Sequence, residues 1–113
     1  RGEYMKIISN NLESGELLVK IEGEVDVYTS IDLKKELTRL IEVNQKKIII
    51  DLENVNYMDS SGLGVLVALL KELRKIGGDL KLISLPVSVK KIFDLTRLTK
   101  FFSIYNNLQD AMK

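Results

Sequence analysis

The chain has 113 residues, room for one domain, and its 45% hydrophobic and 29% charged content is a globular balance rather than a disordered or fibrous one. Its 17 basic and 16 acidic side chains are interspersed, with only pairs such as Lys34-Lys35, Lys46-Lys47 and Lys90-Lys91, which argues against the clustered cations and stacking aromatics of a nucleic-acid interface. With no cysteine and no histidine, disulfides, thiolate metal sites, a Ser-His-Asp triad, a histidine general base and the usual zinc and copper sites are all excluded.

Arg1-Gly2-Glu3-Tyr4 precede Met5, a natural starting residue, and read as an appended or disordered lead-in with no signal-peptide pattern. No apolar run reaches the ~18 residues of a membrane span, the longest being 63–70, and the absence of cysteine suits a reducing cytosol, so a soluble, cytoplasmic protein is expected. Residues 5–8 predict a short strand, and Asn10-Asn11-Leu12-Glu13-Ser14-Gly15 a turn-rich connection. Residues 17–21 predict a second strand, closing a hairpin, and Gly23-Glu24-Val25-Asp26 leaves it. Thr29-Ser30-Ile31-Asp32 fits a capping box, a hydroxyl followed three residues on by an acid, and Ile31, Leu33, Leu37, Leu40 and Ile41 recur behind it at helical spacing.

The run 46–52, with Ile48-Ile49-Ile50 at its centre, predicts a strand buried on both faces, and 53–58 reads as its connection to Asp59-Ser60-Ser61. Residues 62–76 predict the most buried helix, apolar around most of its circumference, with Lys71, Arg74 and Lys75 toward its C-terminal end and Gly77-Gly78 stopping it. Residues 79–84 predict a strand. Pro86 opens a helix whose apolar face is Val89, Ile92 and Phe93, and 95–100 is a loop. Residues 101–105 predict a short last strand, and 107–112 a terminal helical segment capped by Asn106 or Asn107. The order ββαβαβα, then a short strand and helix, implies a single α/β domain over 1–113. Its mixed sheet has four to five strands, opened by the antiparallel hairpin, with about four helices and right-handed crossovers.

Tyr57-Met58-Asp59-Ser60-Ser61-Gly62-Leu63-Gly64 is the stretch that carries functional information. It places two hydroxyls where a helix start exposes unpaired N–H groups and the positive end of its dipole. Such a hydroxyl can cap the helix, bind an anion or carry a phosphate. Capping alone accounts for serines there, although Leu63 gives Ser60 no reciprocal acid. Gly62 and Gly64 each lower helix stability by ~1 kcal/mol relative to alanine, which points to something approaching this backbone closely. A phosphate-loop or hydrolase site finds little support, because G-x-x-x-x-G-K-[ST] and Gly-x-Ser-x-Gly are both absent and the first lysine after the motif is Lys71. Tyr57 and Met58 read as core or strand-end residues, with apolar neighbours of Leu63 as a candidate interface patch.

Asp59-Ser60-Ser61-Gly62-Leu63-Gly64-Val65 strongly resembles the phosphorylation loop of bacterial anti-sigma factor antagonists, the STAS-domain proteins. The resemblance extends over nearly the whole chain, through Gly23-Glu24-Val25-Asp26, Ile48-Ile49-Ile50-Asp51-Leu52, Tyr57-Met58, Ile76-Gly77-Gly78 and Val89-Lys90-Lys91-Ile92-Phe93. It implies a STAS-like fold and a partner switch. The unphosphorylated protein binds an anti-sigma factor that is also an ATP-dependent serine kinase, and thereby frees a sigma factor. Phosphorylation of Ser60, directly after the motif aspartate, ends the binding, and a serine phosphatase resets it. Ser61 is then the neighbour rather than the acceptor. The resemblance also places Asp26 close to the phosphorylated serine, whereas the bare sequence reads Asp26 equally well as a turn or cap acceptor for Thr29.

The switch or partner-binding set is therefore Asp26, Asp59, Ser60, Ser61, Gly62, Leu63 and Gly64, with no catalytic residue, cofactor, metal, nucleic acid or membrane, and a monomer is expected. Two other readings stand beside it: a non-switching STAS scaffold whose serine only caps the helix, and a nucleotide-binding domain at the helix start.

Overall fold

A computed structural model describes residues 4–43 and 45–113; the expectation of an appended or disordered lead-in falls largely on Arg1, Gly2 and Glu3, which lie outside the described residues. The elements are β1 (Met5–Asn11), β2 (Leu17–Val25), α1 (Thr29–Glu42), β3 (Lys47–Met58), α2 (Ser60–Lys75), β4 (Asp79–Ile83), α3 (Val87–Leu95), β5 (Ser103–Tyr105) and α4 (Leu108–Ala111). The five strands form one sheet in the order β1-β2-β3-β4-β5, with β1 antiparallel to β2 and every later pair parallel. This is the mixed α/β sheet with an N-terminal hairpin that the sequence predicts.

Each crossover steps to the next strand in the same direction, so right-handed connections place their helices on a single face. Leu33 and Leu37 of α1, Leu66 and Leu70 of α2, and Val89 and Phe93 of α3 accordingly share one core with the alternate strand residues Val19, Ile21, Ile48, Ile50, Leu80 and Leu82. The opposite face carries a smaller cluster of Leu18, Ile49 and Ile83 closed by Ala111 of α4. No helix among the described residues is long and apolar enough to cross a membrane.

Several boundaries differ from expectation. β1 continues through Ser9, Asn10 and Asn11 because these turn-like residues pair with Val19, Leu18 and Leu17 of the strongly apolar β2. β2 does not end at Gly23: Gly23, Glu24 and Val25 pair with Val55, Tyr57 and Met58. The segment 53–58, expected as a connection, is therefore strand, bent by register shifts at Lys20/Glu22 and Gly23/Glu24. Gly23 has φ +100, and a Cβ there would lie 2.2 Å from the Tyr4 carbonyl, which also accepts the Glu24 N–H at 2.7 Å. Phe101 and Phe102 are not strand: Phe102 stacks edge-on against Phe93 and Phe101 and plugs the end of the core. Asn107 caps α4 as expected, its side chain accepting the Asp110 N–H at 2.8 Å.

Candidate functional site

The last pairing of β2 with β3 is Val25 opposite Met58, so the loops that follow, Asp26 onward and Asp59 onward, leave the sheet side by side. The Asp59 N–H donates to the Val25 carbonyl at 3.2 Å and ties them together. Asp59 is extended, at φ −111° and ψ −170°, and its carboxylate accepts the Ser61 N–H at 2.9 Å. Its carbonyl accepts the first helical N–H, from Leu63, at 3.2 Å. The cap of α2 is thus Asp59 and neither serine, and α2 begins at Ser60 rather than at Gly62. A charged acceptor supplies what the helix start needs, with the sign its dipole favours.

Both hydroxyls are relieved of capping. Ser60 is exposed, Ser61 is half-buried, and neither side chain makes a hydrogen bond among the described residues. The two glycines divide. A Cβ on Gly62 would lie 2.7 Å from Val25 Cγ1 and 2.9 Å from Met58 Cγ, so the close approach inferred there is made by the protein's own strands. Gly64 is exposed, and a Cβ on it would meet nothing within 4 Å, so its absence of side chain has no explanation inside the fold. Leu63 is buried and anchors α2 in the core, so its side chain is not part of a surface patch.

Asp26 nucleates α1. Its carboxylate accepts the Tyr28 and Thr29 N–H groups at 2.9 Å each and the Thr29 hydroxyl at 3.1 Å, while its own N–H donates to Thr29 Oγ1 at 2.9 Å. The reciprocal box expected for Thr29 and Asp32 therefore sits three residues earlier, between Asp26 and Thr29, and the Asp26 carbonyl takes the Ser30 N–H at 2.9 Å. The Thr29 N–H, with help from Tyr28 and the Thr29 hydroxyl and against partial desolvation, holds the Asp26 carboxyl below the usual carboxylate range. A depressed carboxyl stabilises the fold above the unfolded-state pKa of ~3.9 and loses that contribution as pH falls through its folded value. Asp26→Asn is accordingly expected to melt below wild type at pH 7, with the gap closing below pH ~4, as read by thermal unfolding across pH.

Around these loops stand exposed apolar side chains: Val27 (56%), Tyr28 (66%) and Tyr57 (50%). Met58 is buried as a strand-end core residue, but Tyr57 is not in the core. Val27 and Tyr28 are not legible as surface residues from the sequence, because apolar residues ahead of a helix read as its buried face. The signal was the Asp26…Thr29 box, which forces the two residues between its ends outward. Among the described residues no three histidine, cysteine, aspartate or glutamate side chains are grouped to hold a metal ion. The arrangement offers two free hydroxyls at a helix N-terminus, of which Ser60's is the exposed one, beside the engaged carboxylate of Asp59 and close in the fold to the loop that Asp26 opens.

A family model described as STAS domain matches residues 6–111. The anti-sigma F factor antagonist of Paenibacillus polymyxa is 32% identical over 99 residues, which cover 87% of this chain and 85% of that protein. An anti-sigma-B factor antagonist of Staphylococcus aureus is 39% identical over 80 residues, 71% of this chain and 74% of that one. The crystal structure of an anti-sigma factor antagonist from Mycobacterium paratuberculosis has the same fold, with a TM-score of 0.87 and 26% identity, covering 96% of this chain and 92% of that chain.

Proposed function

The chain belongs to the STAS domain family, and from that premise we propose that it is an anti-sigma factor antagonist switched by phosphorylation of Ser60. Unphosphorylated, it binds an anti-sigma factor with serine kinase activity and frees a sigma factor; phosphorylated, it lets go until a serine phosphatase resets it. It works in the cytoplasm as a monomeric substrate and binding module, without cofactor or catalytic residue of its own.

The observation that carries this reading is the division of labour between Asp59 and Ser60. Asp59 caps α2, so the exposed Ser60 hydroxyl is free to react without unwinding the helix. Phosphorylation adds about −1.5 to −2 charge at pH 7. The dipole and first-turn donors of α2 favour that charge and keep the helix formed. The neighbouring Asp59 carboxylate and the apolar rim of Val27, Tyr28 and Tyr57 oppose it once a partner has covered the site. A charge buried there without a counter-charge costs several kcal/mol, enough to part a moderate complex. That Asp59 rather than a serine caps α2 supports this reading over a non-switching one in which the serine is only a helix cap.

Incubation with the cognate kinase and ATP, followed by mass-spectrometric mapping, tests the assignment. The phosphate is expected on Ser60, with no incorporation into Ser60→Ala. A phosphate on Ser61 alone, or none under conditions where the kinase is active, contradicts it.

A further inference from the structure

The outer face of α3 carries the two most exposed large hydrophobic side chains among the described residues, Val87 at 86% and Leu95 at 76%. With Lys91 midway between them, at successive spacings of four, the three share one side of the helix. The inner side, Val89 and Phe93, is fully committed to the core.

The charges on this face are unbalanced. Asp94 is its one acid, and both of its oxygens are engaged: Oδ2 accepts from Lys90 Nζ at 3.3 Å and Oδ1 from the Thr99 hydroxyl. Lys91, Arg97 and Lys100 have no acidic partner among the described residues. Asp94 lines both of two neighbouring shallow recesses, the first with Val87, Lys90 and Lys91, the second with Arg97, Thr99 and Lys100, and the two together are the α3 groove.

Arg97 marks this groove in a second way. It has φ +62, with its N–H on the Asp94 carbonyl at 3.1 Å and the following Leu98 N–H on the Phe93 carbonyl at 2.8 Å. That is the left-handed turn that ends a helix, where glycine fits without strain. The chain instead keeps a long cation at this position. Backbone strain retained alongside an unpaired guanidinium is a reason to look for its use outside the fold.

We propose that α3 and the turn after it form a docking groove for an acidic, apolar-bearing segment of a partner protein. Carboxylates of that segment meet Lys91, Arg97 and Lys100, while its apolar side chains cover Val87 and Leu95. This surface is independent of the Ser60 reading. Three free cations fall short of the basic clusters of about four to eight that hold proteins to anionic bilayers. The groove lining contains no aromatic side chain on which a base could stack, which disfavours single-stranded nucleic acid.

The probe is a short fluorescent peptide of Glu-Leu-Leu-Glu repeats, titrated with the full chain by anisotropy. Saturable, salt-sensitive binding is expected, weakened at least ~10-fold in Lys91→Glu/Arg97→Glu/Lys100→Glu and several-fold in Leu95→Ser. Arg97→Gly separates docking from folding: it is expected to raise the melting temperature while weakening the peptide. The proposal is overturned if the triple variant, shown folded by circular dichroism, binds the peptide like wild type, or if a Lys-Leu-Leu-Lys peptide binds as tightly. Tighter binding to phosphatidylglycerol vesicles or to duplex DNA than to the acidic peptide also overturns it.

Discussion

Ser60→Asp is expected to bind the anti-sigma factor at least ~100-fold more weakly than the unmodified protein, a loss of about 2.7 kcal/mol. Ser60→Ala is expected to bind like the unmodified protein and to be indifferent to kinase and ATP. Titration calorimetry with the purified partner gives both numbers. The cause is local. The added carboxylate stands beside Asp59, at the end of the sheet where Val27, Tyr28 and Tyr57 are exposed and a partner covering the site must exclude water. The fold should not register the change as damage, since an acid in the first turn of α2 is favoured by the helix dipole by ~0.3–1 kcal/mol. Melting of Ser60→Asp is therefore expected at or slightly above wild type. Binding of Ser60→Asp as tight as that of Ser60→Ala would remove charge as the agent of the switch, while a collapsed melting curve would show that the phosphate acts by unfolding.

The second large effect separates two glycines that look alike in sequence. Gly62→Ala is expected to destabilise the protein by about 1–3 kcal/mol, because its methyl must push into Val25 and Met58, the last pair joining β2 to β3. Gly64→Ala is expected to stabilise it by up to ~1 kcal/mol, since the new methyl meets nothing and the helix gains a better former. Chemical denaturation reads both. Gly64 lies one helical turn beyond Ser60 on the same face, so its alanine variant should also bind the anti-sigma factor less well despite its greater stability. Equal stability of the two variants would contradict the packing difference between these positions.

Much of this was legible in the chain. The helical periodicity of Leu33, Leu37 and Leu40, the β-branched run Ile48-Ile49-Ile50 and the glycine stop after α2 each carry their physics locally, and each lies where its pattern predicts. What local pattern could not supply was partnership. Glu53, Asn54 and Asn56 have little strand propensity of their own, yet they lie within β3 because β2 runs alongside to Val25, pairing Asn54 with Glu22 and passing Glu53 and Asn56 at the register shifts. Asn10 and Asn11, turn formers by composition, become strand for the same reason. At the site, sequence located the loop and its resemblance separated Ser60 from Ser61. It did not show that Asp59 rather than a serine caps α2, or that Asp26 and Thr29 lock each other, because those outcomes depend on which of several competent side chains reaches which N–H.

That the cap is Asp59 has a consequence for how such a protein can change over generations. Under the proposed switch, structural obligation and chemical responsiveness rest on adjacent but different side chains, so position 60 is expected to be nearly neutral for folding and decisive for regulation. A library randomised at position 60 and selected only for folded protein should accept most residues, whereas one at position 59 should return chiefly aspartate, asparagine, serine and threonine. If Ser60 carries the proposed switch, lineages with this arrangement are expected to gain, lose or invert it by one substitution, without first acquiring stability elsewhere to tolerate it.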